Sequence, residues 1–244
     1  MDFPFLWQTV QTLSAGIPLT LLLATLSVSI GVVIAIAIAA TRLWGPRALQ
    51  QAAKFYVFVF RGTPLLVQMF LIYYGLGQFE AVRSSFLWPV LREPFWCAIL
   101  ALSLNTGAYG SEIVRGGLQS VGHGQREAAM ACGMSPWLAF RRIVLPQAVR
   151  QALPAYGNEL ILLCKATSLA SMITLMEITG LAAKLISDTY RVIEVFAAAG
   201  AIYLAINFVL TRLVAFADHR LTAHLRPVAT GKPAPDTRLT GAKP

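Results

Sequence analysis

Few side chains in this sequence are spaced for chemistry. His123, His219 and His224 form no His-x-x-x-His pattern, and Cys97, Cys132 and Cys164 are an odd number scattered among apolar neighbours. Neither a metal site nor a disulfide framework is predicted. No nucleophile stands beside a base, and no GxxxxGK[ST] loop is present to cradle a nucleotide. Two groups remain. Glu159 and Lys165 are ionisable residues inside an apolar run, with the hydroxyls of Thr167 and Ser168 close behind. The chemistry open to them is binding, because a charge or hydroxyl at membrane depth faces protein, solute or a water-filled path. Six residues on a helix set positions 159 and 165 about 120° apart, so each needs its own partner. The second group is a polar, basic island over residues 126–146, REAAMACGMSPWLAFRRIVLP, between long apolar stretches. It is the natural grip for a soluble partner.

The island reads as two short helices and a hard turn. Residues 125–132 run helical through Ala128, Ala129 and Ala131, and Gly133 suits the left-handed position that closes a helix. Ser135 is an N-cap and Pro136 fits the first helical position, where no N–H is needed. The second helix carries Trp137, Phe140 and Val144 at helical spacing, has Arg141 and Arg142 near its end, and is predicted to stop before Pro146.

These segments need a membrane to hold them. The 244 residues are 57% hydrophobic and 13% charged, with a mean hydropathy of +0.64, and one water-soluble core cannot hide that much apolar surface. The net charge of +9 would suggest nucleic acid in a soluble protein, but here its distribution follows the positive-inside rule and no nucleic-acid partner is implied. Five spans are predicted, over residues 17–41, 55–77, 95–113, 154–176 and 195–216. The first 16 residues lack the cationic front of a secretory signal. Arg42, Arg47, Lys54 and Arg61 hold the end of the first span inside, so the N-terminus faces out and the C-terminus faces in. Gly62 and Pro64 kink the second span, or else an interfacial helix precedes it. Glu112 and Arg115 pair on the third, and Gly116 and Gly117 end it. The loop over 118–152 is cytosolic and holds the island. Residues 177–194 are polar, but Ile178, Leu181, Leu185 and Ile186 give them a helical face at the outer surface. From Pro227 the composition predicts a disordered cytosolic tail over 227–244, and no repeat or second domain is visible.

Glu127, Ala128, Ala129, Gly133, Ile143, Leu145 and Pro146 resemble the EAA loop of the membrane subunits of binding-protein-dependent ABC importers. RGTPLLVQMFLIYYG from Arg61, AYGSEIVRGGLQSV from Ala108 and ALPAYGNELILLCKATSLAS from Ala152 resemble the polar amino-acid branch of that family over nearly the whole chain. The similarity is greatest to the M-type subunits of histidine/arginine/lysine/ornithine importers, with opine importers as close relatives. The polar tail departs from the pattern.

The resemblance implies an all-α, MetI-like permease that is not an enzyme and sits in the bacterial inner membrane. Two permease subunits, this one and a related partner or second copy, would form the pore. A dimer of cytosolic ABC ATPases would carry ATP and magnesium, neither bound by this chain, and a periplasmic binding protein would deliver basic amino acids, opines or other polar amino acids. Trp137 and Phe140 would anchor in the ATPase groove, and Arg141 and Arg142 would pair with acids there; packing against the protein's own loop or the lipid surface is the alternative for the aromatics. Glu127 would belong to the coupling surface or cap its own helix. Glu159 would compensate a substrate's cation or serve as a structural partner. A secondary transporter would carry more spans and internal repeats, and would move solute without an ATPase.

Overall fold

The computed structural model describes residues 3–222, with side chains described as far as Arg220. The tail predicted over 227–244 lies outside the described residues. All regular structure among the described residues is helical: α1 (Phe3–Ser14), α2 (Ile17–Trp44), α3 (Arg47–Gly62), α4 (Leu65–Phe70), α5 (Glu80–Arg83), α6 (Trp88–Leu91), α7 (Pro94–Gln119), α8 (His123–Ala131), α9 (Pro136–Ala139), α10 (Leu145–Ala166), α11 (Ile178–Thr189) and α12 (Val192–Thr222). The segments 3–44 and 192–220 are long and apolar enough to cross a membrane, and two bent helix pairs bring the total of such candidates to four.

The centre of the bundle is α7, which packs along α2 and against α10. Small residues make this possible. The buried stripe of α2 is Thr20, Leu23 with Ala24, Ser27, Gly31, Ala35 and Ala39, one position or adjacent pair on each turn. A Cβ on Gly107 of α7 would lie 2.5 Å from Ile34, and one on Gly110 would lie 3.0 Å from the Ala35 methyl. In a membrane, where burying apolar surface gives helices little reason to associate, such close backbone approach is what holds them together. At 26 residues α7 is about 39 Å long, enough to cross the hydrocarbon. Its Ser103, Thr106 and Ser111 are buried inside the bundle, which dilutes its hydropathy.

Several sequence expectations change. Gly116 and Gly117 do not end the third helix, which continues to Gln119. Gly117 is a contact point instead, since a Cβ there would lie 2.7 Å from the Ala148 carbonyl oxygen. The second apolar run breaks between Gly62 and Pro64, the expected place, but more sharply than a kink, as the alternative of a separate preceding helix has it. The segments 47–62 and 65–78 meet at 107°, with Thr63 extended before Pro64. A proline cannot donate the next helical hydrogen bond and forces its predecessor out of the α region.

Pro146 does not stop the island's second helix either. From Pro136 the chain is helical through a π-turn at Phe140–Val144 and on into α10. Within that wider turn the Leu145 N–H donates to the Phe140 carbonyl five residues back, which carries the helix past a residue with no donor. The fourth apolar run is thus the upper part of a rod that begins in the island, not a separate helix starting at 154. It ends in a 3₁₀ segment, Thr167–Ile173, closed by Thr174 at φ 73°.

Polar residues 177–194 are not all solvated. Glu177 is fully buried; its Oε1 accepts from the Gly180 N–H at 2.9 Å and its Oε2 from the Tyr203 hydroxyl at 2.6 Å. It joins α11 to α12. Ile178 and Ala182 of α11 then share a core with Leu13 and Val195, so α1, α11 and α12 pack as a second layer beside the α2–α7–α10 centre.

Candidate functional site

The island is built as its residues dictate. At the end of α8 the Met134 N–H donates to the Ala129 carbonyl and the Gly133 N–H to that of Met130, with Gly133 at φ 80°, a Schellman closure. Ser135 caps the next helix, its hydroxyl accepting from the Leu138 N–H at 3.3 Å. Glu127 does not cap α8: the N-cap is Gly122, without a side-chain bond, and Glu127 is exposed further along the helix. Ala128 is exposed beside it and Ala129 is buried.

The two aromatics part company. Trp137 is 69% exposed, its ring stacked on Phe140 with centroids 5.7 Å apart. Phe140 turns inward, meeting the Trp44 ring edge-on at 6.0 Å and packing on Val121, Val144 and Ala148. Arg141 and Arg142 are exposed and form no ion pair among the described residues. Leu145 is partly exposed, while Ile143 and Pro146 are half-buried where the rod enters the bundle. The surface offered outward is therefore Glu127, Ala128, Trp137, Arg141 and Arg142, with Phe140 as its internal support.

An ion cluster ties the end of α2 to α7. Glu112 pairs with Arg115 as its spacing predicted, at 2.5 Å, and its other oxygen accepts from Arg42 at the end of α2. The Arg42 contact spans 70 positions, and no local pattern announces it.

A second site forms where both broken helices converge. The break before Pro64 frees backbone carbonyls, and Gln68 satisfies them: its Nε2 donates to Phe60 O at 2.9 Å, Thr63 O at 3.0 Å and the Thr63 hydroxyl at 2.8 Å. Asn105 of α7 donates to Phe60 O and to Gln68 Oε1, each at 3.2 Å. In hydrocarbon a non-helical backbone persists only when its polar groups are met in this way. α4 also contacts the 3₁₀ segment after α10.

Beside the break, the Arg61 guanidinium lies 5.0 Å from the centre of the Tyr109 ring, and its field reaches the half-buried Glu159 carboxylate. Tyr156 lies against Gly110, its hydroxyl buried without a hydrogen-bond partner among the described residues. Arg61 is thus in contact with Tyr109, while Glu159, one turn of α10 beyond Tyr156, lies within reach of its charge. Lys165 is not part of this group; it is exposed and makes no ion pair among the described residues. Thr167 is fully buried, its hydroxyl donating to Cys164 O, and Ser168 donates to Lys165 O; each bond is 2.7 Å. Sequence reasoning missed the role of Gln68. The signal available was the proline four residues earlier, which orphans acceptors that some donor must meet.

A helical bundle with broken membrane-length helices and an exposed, capped helix pair is a membrane-protein architecture with room for a solute path and a soluble partner. The comparison with family models gives the particular family: the model of the binding-protein-dependent transport system inner membrane component matches residues 9–223, and the chain belongs to that family. It is 60% identical over 217 residues to the octopine transport system permease protein of Rhizobium meliloti, with 89% of each chain covered. It is 56% identical to the nopaline permease protein of Agrobacterium fabrum, covering 93% of this chain and 94% of that one. Identity to the histidine/lysine/arginine/ornithine permease protein of Escherichia coli is 39%, covering 93% and 95%. Among solved structures, an amino acid ABC transporter crystallised with histidines superposes with a TM-score of 0.80 at 34% identity, over 90% of this chain and 99% of that one. The inward-facing MetNI methionine transporter shares the fold, with a TM-score of 0.66 at 18% identity.

Proposed function

We propose that this ABC importer permease carries arginine-related solutes, either opines of the octopine and nopaline type or basic amino acids. The observation that carries the ligand class is the 60% and 56% identity to two opine permeases, with 39% to the histidine/lysine/arginine/ornithine permease as the wider relationship. These solutes are cationic amino acids or their derivatives, and octopine and nopaline keep arginine's guanidinium while carrying further carboxylates on its α-nitrogen. The residues beside the Pro64 break suit both features. Glu159 would meet the cation and Arg61 a carboxylate, with Tyr109 and Tyr156 as walls. Broken helices are where membrane transporters place such contacts.

In this reading the chain crosses a bacterial inner membrane five times, N-terminus outside and C-terminus inside. It pairs with a second permease, related or identical, and receives solute from a periplasmic binding protein. The island seats in a cytosolic ATPase that holds ATP and magnesium. Glu127, Trp137, Arg141 and Arg142 would make that contact. The continuous rod through the π-turn would carry the ATPase stroke into α10 and so to Glu159, as a shift between inward- and outward-facing states.

Two measurements test this. Uptake by proteoliposomes of the complete transporter, with octopine, nopaline, arginine, histidine and glutamine competing, identifies the ligand class; glutamine as the best competitor would overturn it. Thiol labelling of intact cells at Arg141→Cys tests topology, and labelling from outside would reverse the island's assignment.

A further inference from the structure

Two cavities meet at the root of the island, and the coupling route uses neither. One, of about 430 Å³, has Gln119, His123 and Arg126 on its wall together with Trp44, Met130 and Phe140. The other, of about 210 Å³, runs between α2, α7 and α10 past Ile36, Ala40, Val114, Ala148 and Ala152, and every residue lining it is apolar. Trp44, Leu118 and Phe140 line both, so the cavities share a wall.

Three features restrict the occupant. No Asp or Glu lines either space, while Arg126 is exposed at the first without an ion pair among the described residues, so the polar end favours an anion. The apolar end follows one face of α2 at positions 36, 40 and 44, a length of about 12 Å along the helix. Trp44 is 64% exposed at the end of α2, and such a ring belongs at headgroup level. A soluble partner would have to thread an apolar extension along three membrane helices to fill the same space.

We propose that the two cavities are a binding site for one anionic phospholipid of the adjoining leaflet, with its phosphate beside Arg126 and His123 and an acyl chain laid along Ala40 and Ala148. The lipid bridges the membrane ends of α2 and α7 to the island through the Trp44–Phe140 contact, so its presence sets how firmly the island is held. This rests on the membrane placement proposed above.

The complete transporter, purified with its partner subunits, is placed in nanodiscs of phosphatidylcholine and phosphatidylglycerol, and retained lipid is counted by native mass spectrometry. Phosphatidylglycerol should be retained over phosphatidylcholine. Arg126→Gln should reduce that preference about fivefold, the weight of one basic group at a charged bilayer, and Arg126→Lys should keep it. An equal preference in wild type and Arg126→Gln overturns the site. A photo-crosslinker at Met130 should capture lipid; capture of the ATPase subunit alone would assign the cavity to that protein and overturn the proposal. Both nanodisc leaflets have the same composition, so the outcome does not depend on which face is cytosolic, and failure here is distinguishable from failure of the topology.

Discussion

Gly117 of α7 and Ala148 of α10 meet backbone to backbone, so close that a Cβ on the glycine would fall 2.7 Å from the alanine carbonyl oxygen. The contact fixes the rod just above the island, and its neighbour is a built-in control, because a Cβ on Gly116 would meet nothing within 4 Å. Gly117→Val should destabilise the bundle by about 1–3 kcal/mol through overpacking, whereas Gly116→Ala should not. Thermal unfolding of the purified transporter checks the pair; equal melting temperatures would mean that α10 is not seated on α7 as described.

Trp137 is exposed and Phe140 packs inward, so their truncations should fail differently. Trp137→Ala with Arg141→Glu should weaken ATPase association by at least about 2 kcal/mol, roughly thirtyfold, while the permease remains folded in the membrane. Phe140→Ala should instead lower the melting temperature, since it empties the contact with Trp44 and Val144. Co-purification yield and uptake separate the two. Undiminished uptake by the double variant would remove the coupling role.

Glu159→Gln removes the carboxylate within reach of the Arg61 charge. Uptake of octopine or arginine should fall about tenfold or more, while glutamine competition is unchanged, because a guanidinium at membrane depth loses its compensating charge. Arg61→Gln should penalise octopine more than arginine. If Glu159→Gln preserves the ranking of arginine, histidine and glutamine, the glutamate is a structural partner only.

Gln68 donates to three acceptors at the helix break. Gln68→Leu removes the donor of both Thr63 acceptors and leaves Phe60 O with Asn105 alone; it should cost about 1–3 kcal/mol, with faster proteolysis at residues 61–64. Gln78→Leu, at an exposed residue with a single 3.4 Å contact, is the control. Matching stabilities would show that water, rather than Gln68, satisfies the break.

The local features of the island were legible because each is decided within a few residues. Gly133 is the one residue there without a Cβ to resist the left-handed closure, Ser135 has an oxygen at capping distance, and the Glu112–Arg115 pair follows from the pitch of a helix. The misreadings have one source. Within a few residues proline and glycine read as stops, although a π-turn lets the rod pass Pro146, and Gly117 serves a neighbouring helix while its own continues.

The order of apolar and basic segments, set by the solvation cost of each residue type, determined by itself that the chain is a helical membrane protein with one basic helix pair between its apolar runs; the resemblance of that pair and its flanking motifs to known permeases supplied the rest. Only the tertiary structure decided that Arg42 reaches Glu112, that Gln68 holds the break, that Glu177 is buried against Tyr203, and that Arg61 lies against Tyr109. Each of these contacts joins different elements. A partner's distance along the chain says nothing of its distance in space until small-residue faces have brought the helices together.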